Sequence, residues 1–537
     1  MNDKGKIAIA AFVFLALAAF YHFGYPGIND GDTFYHFRHA AIYREQGIFT
    51  TEFPWVNGSV VSKYASDIWY GFHVFLIPFT LFGDEILGMK IAGAVLTIAV
   101  LLMCFFALKL LRARHPALWT LLILFSTADM NYRLTMVRPH LLTFGLAMLI
   151  FFFAVNRRAL PVLVLSALVS FFHLSLAWLS VLIALATAFA GLFDRSLFGS
   201  KSVEAAPQER PSVFKLFMST AAAAAGSVIG LLLRPNPLGA LKLAYVQVVR
   251  IIIEKSNGIP IRFGTELKPT DLSIFVHQLS NVLVLFAVAA ILIVIVMRRK
   301  KFTEFSGQAR AAILASFGLS IFFELLTNFV ARRSMDLWIG FSVIFIALVW
   351  TRFSEEKDIK LKNYLNAGYM IAAIALLFML VNTLYYSSLY RSKAFSPERF
   401  KAGSEWLALN AVPGEIVFNL HWDDFPFLFF HNRKNYYISG MDPIFEYAFD
   451  KNLYWGHYFL DIDKIYLSEG EGYSCPEFQC TAETTIPINT MLKEKFGASY
   501  VFILPARNPK VFEFLADSPK FKKVFESGSG ETIFKVL

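Results

Sequence analysis

The run IAGAVLTIAVLLMCFFALKLL, residues 91–111, carries a single charge. A bilayer core needs roughly 20 consecutive apolar residues in a helix, and only helices or closed barrels leave no backbone polar group unpaired in lipid. Runs of this kind recur at 7–23, 86–111, 117–131, 139–155, 160–172, 176–193, 213–233, 277–297, 310–329, 336–351 and 365–386. The chain of 537 residues is 56% hydrophobic, with 57 phenylalanines and only 17% charged residues. The expected fold class is a polytopic α-helical membrane protein with about eleven transmembrane helices. Residues 159–193 read as a hairpin of two short helices, because basic residues flank both ends (Arg157 and Arg158, then Arg195 and Lys201).

The net charge of +10 does not point to nucleic acid. Basic residues sit in short loops between apolar runs, as membrane topology demands, and no RNP, zinc-finger or phosphate-loop pattern occurs. Lys4, Lys6, Arg112, Arg114, Arg157, Arg158, the RRKK at 298–301, Lys357, Lys360 and Lys362 place one face in the cytoplasm. The N-terminus is then cytoplasmic, in the inner (cytoplasmic) membrane of the cell. No small-residue cleavage site follows the first run, which reads as an uncleaved span.

This threading makes residues 1–386 a transmembrane domain with two long external loops, 24–85 and 234–275. Residues 387–537 become an extracytoplasmic α/β domain. Within the first loop, DIWYGFHVFLIPFTLFG reads as an interfacial or partly re-entrant helix. In the tail, ERFKAGSEWLALN has a helical pattern, and GEIVFNL, ASYVFIL and ETIFKVL read as strands. Cys475 and Cys480, in SCPEFQC, are spaced to close a small disulfide loop in an oxidising compartment, while a zinc half-site would want more Cys or His nearby. Cys104 lies in an apolar run and reads as inert.

Arg133, Arg138, Arg234, Arg332 and Arg333 break the charge rule, because they fall at the external ends of spans. Ionisable groups there are costly and tend to line functional cavities, and the planar fork of arginine suits phosphate. A lipid-linked phosphate fits such a set. Among the acids on the same side, Asp67, Asp129 and Asp336 read as solvated loop ends. Asp30 and Asp32 differ: they form an acid-Gly-acid pair before the aromatic, histidine-rich TFYHFRHA, and such a pair can act as general base or hold a cation. Glu324 and Asn328, inside SIFFELLTNF, are the best support for a rival reading as a transporter or flippase of a lipid-linked glycan.

Five segments, taken in order, carry a resemblance. They are INDGDTFYHFRHAAIYREQGIF (28–49), DMNYRLTMVRPH (129–140), FGTELKPTD (263–271), ARRSMDLWIGFSV (331–343) and NLHWDDFPFLFF (419–430). Together they resemble the external motifs of the catalytic subunit of oligosaccharyltransferase, a member of the GT-C class of membrane glycosyltransferases. The resemblance implies inverting transfer of a sugar or oligosaccharide from a polyprenyl-(di)phosphate donor to an extracytoplasmic protein, glycan or lipid acceptor, at the membrane. It implies catalytic roles for Asp30, Asp32 and Glu266, with Asp30 as base or acceptor-orienting acid. Arg133, Arg138, Arg332 and Arg333 would bind the donor phosphate, and Tyr35, His36, Trp422 and Asp423 the acceptor. A divalent cation, Mg2+ or Mn2+, would lie on Asp30, His140 and Glu266. The chain departs from the pattern twice. VRPH replaces the second acidic motif, with His140 where an acid would stand, and His421 replaces the first tryptophan of Trp-Trp-Asp. The loop with Gly258, Pro260, Gly264 and Pro269 would close over the substrates.

Overall fold

The computed structural model describes residues 3–198, 212–298, 302, 305–354, 359–464 and 487–537. Cys475 and Cys480 lie outside these residues, and Cys104 is a buried free thiol. The chain forms two compact units. Unit 1 comprises 1–29, 84–233 and 265–394; unit 2 comprises 30–83, 234–264 and 395–537.

Unit 1 is helical. Among the described residues, eight helices are long and apolar enough to cross a membrane: Asp3–Phe23, Glu85–Leu110, Leu174–Ser196, Val213–Leu232, Leu272–Met297, Gly307–Phe329, Arg332–Phe353 and Met370–Leu389. The protein is a multi-pass membrane protein. Three of the eleven expected spans are shorter helices, Pro116–Phe125, Pro139–Val155 and Ala159–Phe172. The expected span 117–131 is broken. Its helix stops at Phe125, and the Thr127 hydroxyl accepts from Met130 N at 2.9 Å to start a separate helix, Ala128–Arg133. The expected break within 159–193 falls at His173, whose backbone leaves the helical conformation (φ −149°, ψ 80°).

Side-chain size sets how closely these helices approach. A Cβ on Gly226 would lie 2.2 Å from Leu163 O, and one on Gly230 would lie 2.2 Å from Ala167 O. The two glycines are four residues apart and let Val213–Leu232 lie against Ala159–Phe172, the small-xxx-small packing that replaces hydrophobic drive in lipid. Polar ties fix the Ala128–Arg133 helix. Asn131 donates to the Tyr21 hydroxyl at 2.8 Å and accepts from the Ser387 hydroxyl at 3.0 Å.

Unit 2 is built on a five-stranded sheet in the order β2-β1-β3-β5-β4. The strands are β1 Ile416–Asn419, β2 Tyr436–Tyr437, β3 Ala498–Ile503, β4 Phe521–Glu526 and β5 Thr532–Val536. β1 pairs in parallel with β2 and β3, while β5 runs antiparallel to both β3 and β4. The expected helix is Lys401–Asn410, and β1, β3 and β5 match the three expected strands. Phe418, Leu460, Val501, Val511, Leu515 and Phe534 form its buried core.

The loop residues 30–83 group with the tail for a backbone reason. Val56 bridges Tyr437 in parallel, Tyr437 N donates to Trp55 O at 2.9 Å, and Asn57 N donates to Tyr437 O at 2.7 Å. The short segment 55–57 therefore continues the sheet past β2. The apolar stretch of this loop is a helix, Tyr70–Leu76, followed by a 3-10 turn, Ile77–Leu81.

Candidate functional site

Unit 1 gathers the four arginines that the sequence offered for phosphate. Arg133 closes the short Ala128–Arg133 helix, Arg138 precedes Pro139–Val155, and Arg332 and Arg333 lie in a 3-10 turn, Arg332–Ser334. Glu266, in the 3-10 turn Thr265–Leu267, sits among three of them. It accepts from Arg133 at 2.9 Å and lies 3.8 Å from Arg138 and 4.0 Å from Arg333. Arg332 N donates to Lys268 O at 2.8 Å and ties the loop to the arginine turn.

The acids expected to be solvated are instead buried partners. Arg133 Nε donates to Asp336 at 2.6 Å, and Arg332 Nε pairs with Asp129 at 3.3 Å. The pairing is crossed. Asp129 and Arg133 are four residues apart, as are Arg332 and Asp336, yet each arginine takes the acid of the other segment. Burial alone would lift the Glu266 carboxyl, but the charges of Arg333, Arg133 and Arg138 outweigh it and hold Glu266 well below the usual carboxylate range. Burial opposes the charge on Arg133, and Asp336 and Glu266 outweigh it. Four guanidinium groups against Asp129, Glu266 and Asp336 leave a positive surplus. Arg138 and Arg333 lie at ion-pair distance from Glu266; their side chains are 23% and 32% exposed, Arg332 is 23% exposed and Arg133 9%. Arg333 is the most exposed of the four.

The cation set Asp30, His140 and Glu266 fits poorly. Glu266 lies in the field of three guanidinium groups, which repel a cation, and His140 Nε2 lies 3.9 Å from Asp336 with no hydrogen bond. Glu324 and Asn328, the transporter candidates, are hydrogen-bonded to each other on one helix at 3.0 Å.

In unit 2, Asp30 is 2% exposed at the start of the helix Asp32–Gln46, and Asp32 opens that helix. Tyr35 and His36 are buried on it. The Tyr35 hydroxyl bonds His39 Nδ1 at 3.1 Å, and His36 Nδ1 bonds His73 Nε2 at 2.8 Å. Arg234 belongs to unit 2, where it donates to the Asp67 backbone carbonyl at 2.8 Å. Asp67, also expected to be solvated, is buried and accepts from His73 at 2.6 Å and from the Tyr43 hydroxyl at 3.0 Å.

Trp422 and Asp423 lie in a 3-10 turn, Trp422–Asp424. Arg507 forks onto this turn, donating to Asp423 at 3.1 Å and to Asp424 at 3.0 Å. Burial, then Asp423, pushes the Asp424 carboxyl up to about 7 against the pull of Arg507. Trp422 lines a tight cleft with Arg262, Tyr454, His457, Tyr458 and Asp461. His421 is a framework group: its ring pairs with Asp461 and bonds Asn508 Oδ1 at 2.6 Å.

No protein-family model and no curated protein sequence matches the chain. Solved structures do. ArnT from Cupriavidus metallidurans in the apo state superposes with a TM-score of 0.53 at 11% identity, over 99% of this chain and 98% of that one. The same protein bound to undecaprenyl phosphate gives 0.52 at 12% identity, over 99% and 98%. The arabinofuranosyltransferase AftD from Mycobacteria gives 0.50 at 13% identity, over 99% of this chain and 42% of that one. The chain has the fold of the GT-C polytopic membrane glycosyltransferases.

Proposed function

We propose that the protein is a membrane glycosyltransferase that moves a sugar or oligosaccharide from a polyprenyl-(di)phosphate donor to an extracytoplasmic acceptor. A fold alone does not assign chemistry. The reading is carried by the cluster of unit 1 in which Arg133, Arg138 and Arg333 surround Glu266 and Arg332 pairs with Asp129, at the ends of apolar helices. One structural likeness is to ArnT bound to undecaprenyl phosphate, which supports a lipid-linked phosphate as the donor.

In the proposed reaction an acceptor heteroatom attacks the anomeric carbon, the carbon–oxygen bond to phosphate breaks, and the configuration inverts. Negative charge grows on the leaving phosphate, so fixed cations stabilise the transition state more than the ground state. Arg138 and Arg333 take this part. Arg133 and Arg332, locked to Asp336 and Asp129, hold the frame. Glu266 orients the forks; its ring of arginines suits it neither to proton transfer nor to a cation. Asp30 takes the acceptor proton, with Asp32 as its support, and Trp422 and Asp423 contact the acceptor. The tail faces outward and the N-terminus the cytoplasm, in the inner membrane.

Mass spectrometry of envelope glycolipids and glycoproteins from a strain lacking the gene tests this. The expected result is accumulation of one lipid-linked sugar together with loss of one glycosylated product. An unchanged profile of both would contradict it.

A further inference from the structure

Unit 2 contains a second constellation that the proposed transfer chemistry does not use. His39, Asp67 and His73 are buried, and one ligand atom of each lies within 4.8 Å of the others. His39 comes from the helix Asp32–Gln46 and His73 from the helix Tyr70–Leu76, with Asp67 just ahead of the latter. We propose that these three side chains hold a divalent transition-metal ion of the zinc class, through His39 Nε2, Asp67 Oδ2 and His73 Nδ1. The ion would staple the two helices together. This inference does not depend on the glycosyltransferase reading.

The donor set is two imidazoles and a carboxylate, which suits zinc and its neighbours better than the all-oxygen shell of magnesium or calcium. The groups behind the ligands are also in place. A metal-bound histidine almost always has its other ring nitrogen hydrogen-bonded, which fixes tautomer and orientation. Here the Tyr35 hydroxyl holds His39 Nδ1 at 3.1 Å, and His36 Nδ1 holds His73 Nε2 at 2.8 Å. Asp67 is positioned through its other oxygen, which accepts from Trp69 N at 2.8 Å, and by the Tyr43 hydroxyl at 3.0 Å.

His39 Nε2 stands 3.9 Å from Asp67 Oδ2, beyond hydrogen-bond reach; with the His39 proton on Nδ1, donated to the Tyr35 hydroxyl, Nε2 offers its lone pair to an ion. The site is enclosed by rings: His39 stacks on Phe53 at 4.9 Å and on His73 at 4.1 Å, and Tyr35 packs on Trp69. Ligand bonds of about 2.0–2.2 Å place donor atoms roughly 3.3 Å apart round a tetrahedral ion. Binding would therefore displace the proton between His73 Nδ1 and Asp67, with His73 then keeping its proton on Nε2 toward His36, open the 2.6 Å contact slightly and draw His39 inward.

The alternative is a dry hydrogen-bonded core with no ion. The experiment uses the full chain in detergent, stripped with chelator, incubated with Zn2+ and passed through gel filtration. About one zinc per chain should be retained, and X-ray absorption at the zinc edge should report at least two imidazoles, an oxygen and no sulfur. His39→Gln and His73→Gln should each retain at least tenfold less zinc than the wild type. A folded wild-type chain that retains no zinc would overturn the proposal. So would a spectrum with sulfur or fewer than two imidazoles, or variants that retain zinc as the wild type does. The wild-type spectrum decides the matter even where a variant does not fold.

Discussion

In unit 1 a carboxylate, Glu266, sits among three arginines; in unit 2 a carboxylate, Asp67, sits among two histidines and a tyrosine. The first cluster is made of groups that stay charged at any physiological pH, and crossed pairs with Asp336 and Asp129 hold Arg133 and the neighbouring Arg332. The second is made of groups that can shed charge and offer lone pairs, packed among aromatic rings. Permanent positive charge suits a phosphate that gains negative charge as it leaves. Imidazoles beside one carboxylate suit a proton or a metal ion. The same physical problem, a buried carboxylate, is solved in two ways, and each solution suits a different ligand.

The largest effect belongs to neither cluster. Asp30→Asn keeps shape and burial but cannot take a proton, so transfer should fall about 10²–10⁴-fold, the usual cost of a lost general base. The assay is transfer from a purified polyprenyl-linked donor in detergent, and donor binding should stay near the wild-type value. Full transfer by Asp30→Asn would remove the base and leave the arginine cluster as the only chemical site proposed.

The next effect tests whether the unit 1 pairs are structural. Arg133→Ala strands Asp336 and Glu266, and breaking a buried pair costs about 3–5 kcal/mol. Thermal unfolding in detergent should show a drop of several degrees. An unchanged melting temperature would make Arg133 a binding residue rather than a frame.

A smaller effect sharpens the contrast in pH response. The Asp424 carboxyl is raised to about 7 from an ordinary 3.8, chiefly by burial. The folded state thus holds its proton after the unfolded chain has lost it. The resulting stability is full below pH 3.8 and is lost as pH rises through about 7. Asp424→Asn should flatten that part of the stability profile, read by thermal unfolding at a series of pH values. Glu266 works the opposite way: its depressed carboxyl contributes stability above the usual carboxylate range, lost only as pH falls through its lowered value.

How much of this was legible in the sequence depended on the range of the signal. Apolar runs mark helices because lipid forces backbone pairing within each segment, and β1, β3 and β5 show as β-rich runs. The arginines were visible because they break the charge rule. Their acids were not. Asp129 and Asp336 look like ordinary loop ends, and the crossing that pairs Asp129 with Arg332 depends on two helices brought together across some 200 residues. The break at Ser126–Thr127 falls inside the expected span 117–131, and the Thr127 cap marks it. β2 is two residues long, too short for any periodicity, and β4 reads FKKVFE, where lysines mask the strand. The histidine cluster joins residues from 36 to 73, each ordinary alone.

The central claim is that the unit 1 arginines hold a lipid-linked phosphate. The direct measurement compares binding of undecaprenyl phosphate with that of the uncharged alcohol undecaprenol, in the wild type and in Arg138→Ala/Arg333→Ala. The account predicts that the wild type prefers the phosphate, and that the double variant, still folded because Arg133 and Arg332 keep their acids, loses most of that preference. Each lost charge-assisted contact is worth about 1.5–3 kcal/mol, or roughly tenfold or more in Kd. A folded double variant that still prefers the phosphate as strongly as the wild type would contradict it.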